Sequence, residues 1–306
     1  LSSQICRLFK SPAMTGGRFL SIVRAMNIQD RIIDVGIKLH IREWAGEKAP
    51  YLLVHGLASN AQMWDMVGEI LAEAGHHVVA VDQRGHGQSD KPDDGYDFGT
   101  VTTDLHRLIT TLGLKRPYLA GLSWGGNVML AFAANYPGVA RSFAFVDGGT
   151  IDMQADPDSE WEQVAARLKP PHLIGTPREV LKQRIQNYQP DWNARAIEAT
   201  LANFETLPDG TIRPWLTLDR HMKILRALFE QRPPQLYPLV QEPVLICLAE
   251  SGDDGWTERK QRQATAAKAG LKLVTIEWFP NTAHDIHIHR PKALAKLLLA
   301  HGGNNV

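Results

Sequence analysis

The chain has 306 residues, 44% of them hydrophobic and 22% charged, with 33 basic residues against 33 acidic ones. That is a globular composition, long enough for one large core with an inserted lobe. A net charge of +0 lends no support to a nucleic-acid partner or a membrane-surface role, and no uninterrupted apolar run reaches the ~18–20 residues of a membrane span.

Residues 1–25 mix basic side chains with Pro12, Gly16 and Gly17 and contain no continuous apolar stretch. They read as a disordered or non-native extension rather than a secretory signal, with Met14 and Met26 as candidate starts. The two cysteines, Cys6 and Cys247, form no disulfide framework, and Cys247 sits in the apolar run VLICL as a core thiol. A cytoplasmic location is expected on these grounds.

From Arg31 to Trp44 apolar and polar residues alternate around Val35-Gly36, which predicts an antiparallel hairpin. Short apolar runs then recur at 51–54, 77–81, 117–120, 142–146, 244–248 and 273–278, with helical periodicity in most gaps. Strands alternating with helices predict a mainly parallel sheet covered on both faces. Between about 150 and 238 the alternation stops: helical stretches are broken by proline pairs and a PDGT turn, with no buried strand. The expected organisation is core over 26–149, helical insertion over 150–238 and core again over 239–306. Trp161, Trp192, Phe204 and Trp215 of the insertion either line a cavity or pack the lobe onto the core.

Ser123 stands where the strand ending at Ala120 meets the helix starting at Trp124, with Gly121, Gly125 and Gly126 around it. A serine forced into so tight a turn needs small neighbours, because a larger Cβ would collide with backbone. Its hydroxyl becomes nucleophilic only with a neighbouring base that is itself oriented by a third group. Those partners are expected at the C-terminal ends of the sheet strands.

His284 follows the last strand and is the expected base. His287 and His289 come close behind, but their spacing puts no three imidazoles on one helical face, so they are expected to orient the loop or face solvent. The acid is expected from the loop after VLICL, where Asp253 is the first choice; Asp254, and Asp147 after an earlier strand, are the alternatives. Two backbone N–H groups should meet an oxyanion, one from Trp124 at the helix start and one from Leu57 in HGLASN.

These motifs together resemble the α/β-hydrolase family over nearly everything from Met26 onward. The elbow is Gly121-Leu122-Ser123-Trp124-Gly125, the order Ser, Asp, His matches, and HGLASN, VDQRGHGQSDKP and NTAHDIHIHRP are similar to the family's oxyanion, post-strand and histidine loops. The resemblance implies an eight-stranded, mainly parallel sheet with helices on both faces and a helical cap. It implies a serine carboxylesterase acting on small to medium apolar esters, with Asp82, Arg84 and Ser89 stabilising their loop and no metal or organic cofactor. Dehalogenase and epoxide-hydrolase chemistry would use Asp in place of Ser123. Lactonase, C–C bond hydrolase, aminopeptidase and perhydrolase activities stay open, as does a ligand-binding receptor on the same scaffold. An aminopeptidase would need a lobe carboxylate such as Glu160, Glu162 or Glu205.

Overall fold

In the computed structural model, which describes residues 28–155, 159–252 and 255–303, the alternating segment around Gly36 folds back on itself. Strands β1 (Gln29–Asp34) and β2 (Lys38–Trp44) pair antiparallel, with Ile33 opposite Leu39. The extension 1–25 with its Cys6, and both Asp253 and Asp254, lie outside the described residues.

The apolar runs that follow become β3 (Lys48–Val54), β4 (His76–Val81), β5 (Tyr118–Leu122) and β6 (Ser142–Val146). Three short strands come next, β7 (Thr176–Pro177), β8 (Phe204–Thr206) and β9 (Thr211–Pro214), and then β10 (Val244–Glu250) and β11 (Val274–Pro280). The main sheet has eight strands in the order β1-β2-β4-β3-β5-β6-β10-β11. From β4 to β11 every neighbouring pair in that order is parallel. Helices α1 (Asp65–Glu73), α2 (Phe98–Thr111) and α3 (Trp124–Asn135) connect the first strands.

Adjacent residues of each central strand face opposite layers, as a pleated backbone requires. Leu52, Val54, Leu119, Phe143 and Ile246 pack with Leu105 of α2 and Val128 and Phe132 of α3. Leu53, Ala120, Val146 and Cys247 pack on the other side with Val67 and Leu71 of α1. Burial on both faces explains why β5 and β6 are buried throughout and largely apolar rather than alternating.

The stretch between β6 and β10 carries α4 (Trp161–Leu168), α5 (Arg178–Tyr188), α6 (Ala194–Leu201), α7 (Leu218–Glu230) and the short α8 (Pro233–Leu236). It also holds a small antiparallel sheet, β7-β9-β8, which the sequence does not announce. Strands β8 and β9 flank the turn at PDGT, where Leu207 N–H donates to the Thr211 carbonyl at 2.8 Å. Strands of two to four residues are too short for alternation to register.

After β10 come α9 (Trp256–Gly270), α10 (Ile286–His289) and α11 (Pro291–Gly303), the last covering the α1 side of the sheet with Leu294 and Leu298. Among the described residues, no helix is long and apolar enough to cross a membrane.

Candidate active site

The parallel strands end together, and the loops leaving β3, β5, β6, β10 and β11 meet at one rim of the sheet. Ser123, at the β5–α3 junction, takes φ 54° and ψ −123°, a backbone state that a non-glycine residue holds only where its surroundings enforce it. Ser123 N–H donates to the Val146 carbonyl at 2.8 Å, and its own carbonyl accepts from Gly126 N–H at 2.8 Å. A Cβ on Gly121 would lie 2.2 Å from the Gly125 carbonyl oxygen, and one on Gly148 would lie 2.0 Å from that of Ser123. Gly121 is thus required by the turn itself. Gly148 is required by the Ser123 turn, which only the fold brings alongside the end of β6.

His284 stands in the loop after β11, and half its side-chain surface is open to the cavity described below. Its Nδ1 lies 2.6 Å from Asp147 Oδ2. Among the described residues, the carboxylate bonded to the imidazole is Asp147, the alternative from the earlier strand; the first-choice Asp253 lies outside them. The reason is strand adjacency. β6 and β10 are parallel neighbours with Val146 beside Cys247, so residues leaving either tip reach the same place.

Asp147 is buried and held on every side. Its N–H donates to the Cys247 carbonyl at 2.7 Å, Oδ1 accepts from Ala249 N–H at 2.9 Å, and Oδ2 accepts from both His284 and Lys260 Nζ, the latter at 2.8 Å. Burial pushes this carboxyl up, but the bonds and charges of His284 and Lys260 outweigh it and hold its pKa below the ordinary value. Burial pulls the His284 pKa down, and the bond to Asp147 more than reverses this, leaving it raised. A carboxylate accepts only, so Nδ1 carries the proton and Nε2 is left as the basic nitrogen.

The loop after β3 is fixed by two neutral imidazoles. His55 Nδ1–H donates to the Gly56 carbonyl at 2.7 Å while Nε2 accepts from Gln83 N–H at 3.0 Å. His86 Nδ1–H donates to the Arg84 carbonyl at 3.0 Å while Nε2 accepts from Ala58 N–H at 3.2 Å. Burial pushes both pKa values down, which keeps each ring in the tautomer that can accept. Ala58 itself sits at φ 55°. Sequence reasoning passed over His86, although its place in QRGHGQ beside the loop-forming Asp82 was a usable signal.

Asp82, Arg84 and Ser89 tie their loop together. Asp82 accepts from His40 Nδ1 at 2.8 Å and from Ala61 N–H at 2.7 Å, Arg84 grips Asp104 with bonds of 2.6 and 2.8 Å, and Ser89 Oγ donates to the Asp82 carbonyl at 2.6 Å. His287 does not face solvent: it is buried against Trp64, with ring centroids 5.1 Å apart. His289 accepts at Nε2 from the Trp192 indole at 3.2 Å. The histidines of NTAHDIHIH thus have separate partners.

Ser123, His284, Leu57 and Trp124 all line one cavity of about 630 Å³ between the sheet rim and the 150–238 stretch. The N–H of Trp124 is the first of a helix and so has no partner within it. Leucines 168, 225, 228 and 248 supply apolar wall, and Arg167, His221, Arg259 and Lys260 supply the basic groups. His221 also borders a second cavity of about 450 Å³ walled by Phe204 and Trp215. Of the aromatics singled out in the insertion, those two line a cavity. Trp161 instead packs on Phe229, and Trp192 on His289. A hydroxyl, an imidazole with a free nitrogen and a buried carboxylate around a partly apolar cavity are groups capable of nucleophilic chemistry.

Residues 51–297 match the model of the alpha/beta hydrolase family. Over 223 residues the chain is 30% identical to a 2-(acetamidomethylene)succinate hydrolase of Mesorhizobium japonicum, covering 72% of this chain and 77% of that protein. It is 33% identical over 138 residues to a non-heme chloroperoxidase of Kitasatospora aureofaciens, 44% of this chain and 50% of the relative. Among solved structures, an E-2-(acetamidomethylene)succinate hydrolase has TM-score 0.75 at 24% identity, covering 90% of this chain and 100% of that one. A thioesterase domain from the curacin biosynthetic pathway has TM-score 0.73 at 20% identity, covering 89% and 99%. The structural likenesses carry the fold, and the family match runs from β3 into α11: the chain belongs to the alpha/beta hydrolase family.

Proposed function

We propose that this protein is a serine hydrolase that cleaves small to medium carboxylic esters through an acyl-enzyme. Ser123 Oγ attacks the carbonyl as His284 Nε2 takes its proton, and Asp147 holds Nδ1–H so that the imidazole keeps its tautomer and its orientation. The N–H groups of Leu57 and Trp124 receive the oxyanion, His284 returns the proton to the leaving group, and water then releases the acyl group by the same steps. The observation that carries this reading is the 2.6 Å bond from His284 to buried Asp147, on a histidine that shares its cavity with a strained serine.

A second reading concerns the substrate. The lining contains Arg167, for which no ion pair is found among the described residues, and Asp147 is its one acidic member there. The relative at 30% identity is named for a compound with an acetamido group and the carboxylates of succinate. Both favour an ester or amide that carries a carboxylate over the purely apolar ester expected from the sequence.

One panel tests both readings: p-nitrophenyl acetate, butyrate, hexanoate and palmitate, a p-nitrophenyl hemisuccinate, a lactone and proline naphthylamide. Ser123→Ala should lower kcat roughly 10⁴–10⁶-fold and abolish labelling by a fluorophosphonate probe. Hemisuccinate outpacing butyrate by tenfold or more would select the acidic substrate. No turnover across the panel together with no labelling of wild type would refute the serine-hydrolase reading.

A further inference from the structure

Lys260 is a cation that the steps above do not use, yet it touches the carboxylate they depend on. It projects from α9, and its Nζ donates to Asp147 Oδ2 and to the Ala249 carbonyl, each at 2.8 Å. The same Oδ2 accepts from His284 Nδ1 at 2.6 Å, so an ammonium and an imidazole meet on one oxygen. That oxygen is fully buried, whereas the lysine side chain keeps 19% of its surface accessible on the cavity wall.

A buried carboxylate beside a histidine stabilises the imidazolium and raises its pKa. An ammonium on the same oxygen works against this, because it repels the imidazolium and competes for the carboxylate's electron density. We propose that Lys260 is a positioning residue that clamps the Asp147 carboxylate and limits the basicity of His284. The imidazole then remains neutral, and able to accept the Ser123 proton, at lower pH than Asp147 alone would permit. The proposal rests on the reading of Ser123, Asp147 and His284 as the reacting set.

Other charged and titratable groups face His284 from each side. Asp285 adjoins it in the loop and favours the imidazolium, as Asp147 does, while Lys260 opposes it. His287 of α10 lies close by, and across the cavity stand Arg167 of α4, His221 of α7 and Arg259 of α9. Of these basic groups, Lys260 is the one whose bond to the Asp147 carboxylate is on the same oxygen as His284.

The test is two titrations on wild type, Lys260→Met and Lys260→Arg. One follows kcat/KM for a neutral activated ester against pH, and the other follows the His284 imidazole by NMR in a Ser123→Ala background. Lys260→Met should raise the NMR pKa and the acid limb together, by about one pH unit, because a nearby like charge is removed. Lys260→Arg should keep both within about 0.3 unit of wild type, since it retains the charge. If Lys260→Met proves too unstable to assay, Lys260→Gln removes the same charge while keeping a donor for Ala249. An unmoved or lowered NMR pKa would overturn the proposal. A raised NMR pKa with an unmoved acid limb would overturn its role in turnover, and would place the fault in taking His284 as the base.

Discussion

Asp147 holds a left-handed backbone, φ 44°, one residue beyond β6, and this turns its carboxylate under the histidine loop. An amide in its place offers one acceptor where the carboxylate accepts from Ala249 N–H, Lys260 and His284. It would also present N–H to one of those donors and favour the wrong imidazole tautomer. Asp147→Asn should therefore lower kcat by about 10⁴, the scale of the orienting-carboxylate loss in serine proteases. With Asp147 as the acid, Asp253→Asn and Asp254→Asn should each cost less than about tenfold in kcat. Steady-state kinetics on the three variants, with circular dichroism to confirm folding, decides. If Asp253→Asn is the crippling change and Asp147→Asn is not, the acid assignment made from the geometry fails.

At the scale of an element, the segment after β11 combines a histidine bonded to a buried carboxylate with one that is buried without such a bond among the described residues. His287 in α10 is fully buried beside Trp64, and neither ring nitrogen has a hydrogen-bond partner among the described residues. Burial depresses its pKa to about 4. The sign follows from linkage: the unfolded chain, with an ordinary value of ~6.5, binds this proton more readily than the folded one. Its share of stability is whole above ~6.5 and is lost as pH falls through the folded value, amounting to about 3 kcal/mol. His287→Phe keeps the aromatic contact without the titrating group. Its Tm should fall less than that of wild type between pH 7 and pH 4.5, as scanning calorimetry would report. An equal fall in both would mean that His287 does not couple protonation to folding.

Across the whole molecule, the walls of the cavity come both from the core and from the stretch between β6 and β10. The core supplies Ser123, Asp147 and His284, while the insertion supplies Arg167 at the end of α4 together with Leu225 and Leu228 of α7. Selectivity should accordingly be separable from chemistry. Arg167→Ala should lower kcat/KM for a p-nitrophenyl hemisuccinate by roughly fivefold, the upper end for one solvent-accessible charge pair. It should leave p-nitrophenyl butyrate within about twofold, since that acyl chain offers the guanidinium no charge. Equal losses on both substrates would show that Arg167 supports the lobe rather than reading the substrate.

What the sequence determined by itself is whatever rests on local chemistry. Continuous apolar runs specified strands buried on both faces, the alternation about Gly36 specified the entering hairpin, and the glycines around Ser123 specified a strained turn. Each of these follows from sterics and burial within a few residues. Strands β7, β8 and β9 were not legible, because they borrow their pairing from one another and carry too few residues for a pattern. Which carboxylate meets His284 could not be read either. Asp147 is 137 residues away from it, and the choice between strand tips depends on β6 lying beside β10, which is a matter of sheet order. The same holds for Lys260, an ordinary lysine in a polar helix until α9 packs against β10 and brings its ammonium onto a buried oxygen. Local sterics and burial are written along the chain. The meeting of charges from distant segments is decided only when the sheet is assembled.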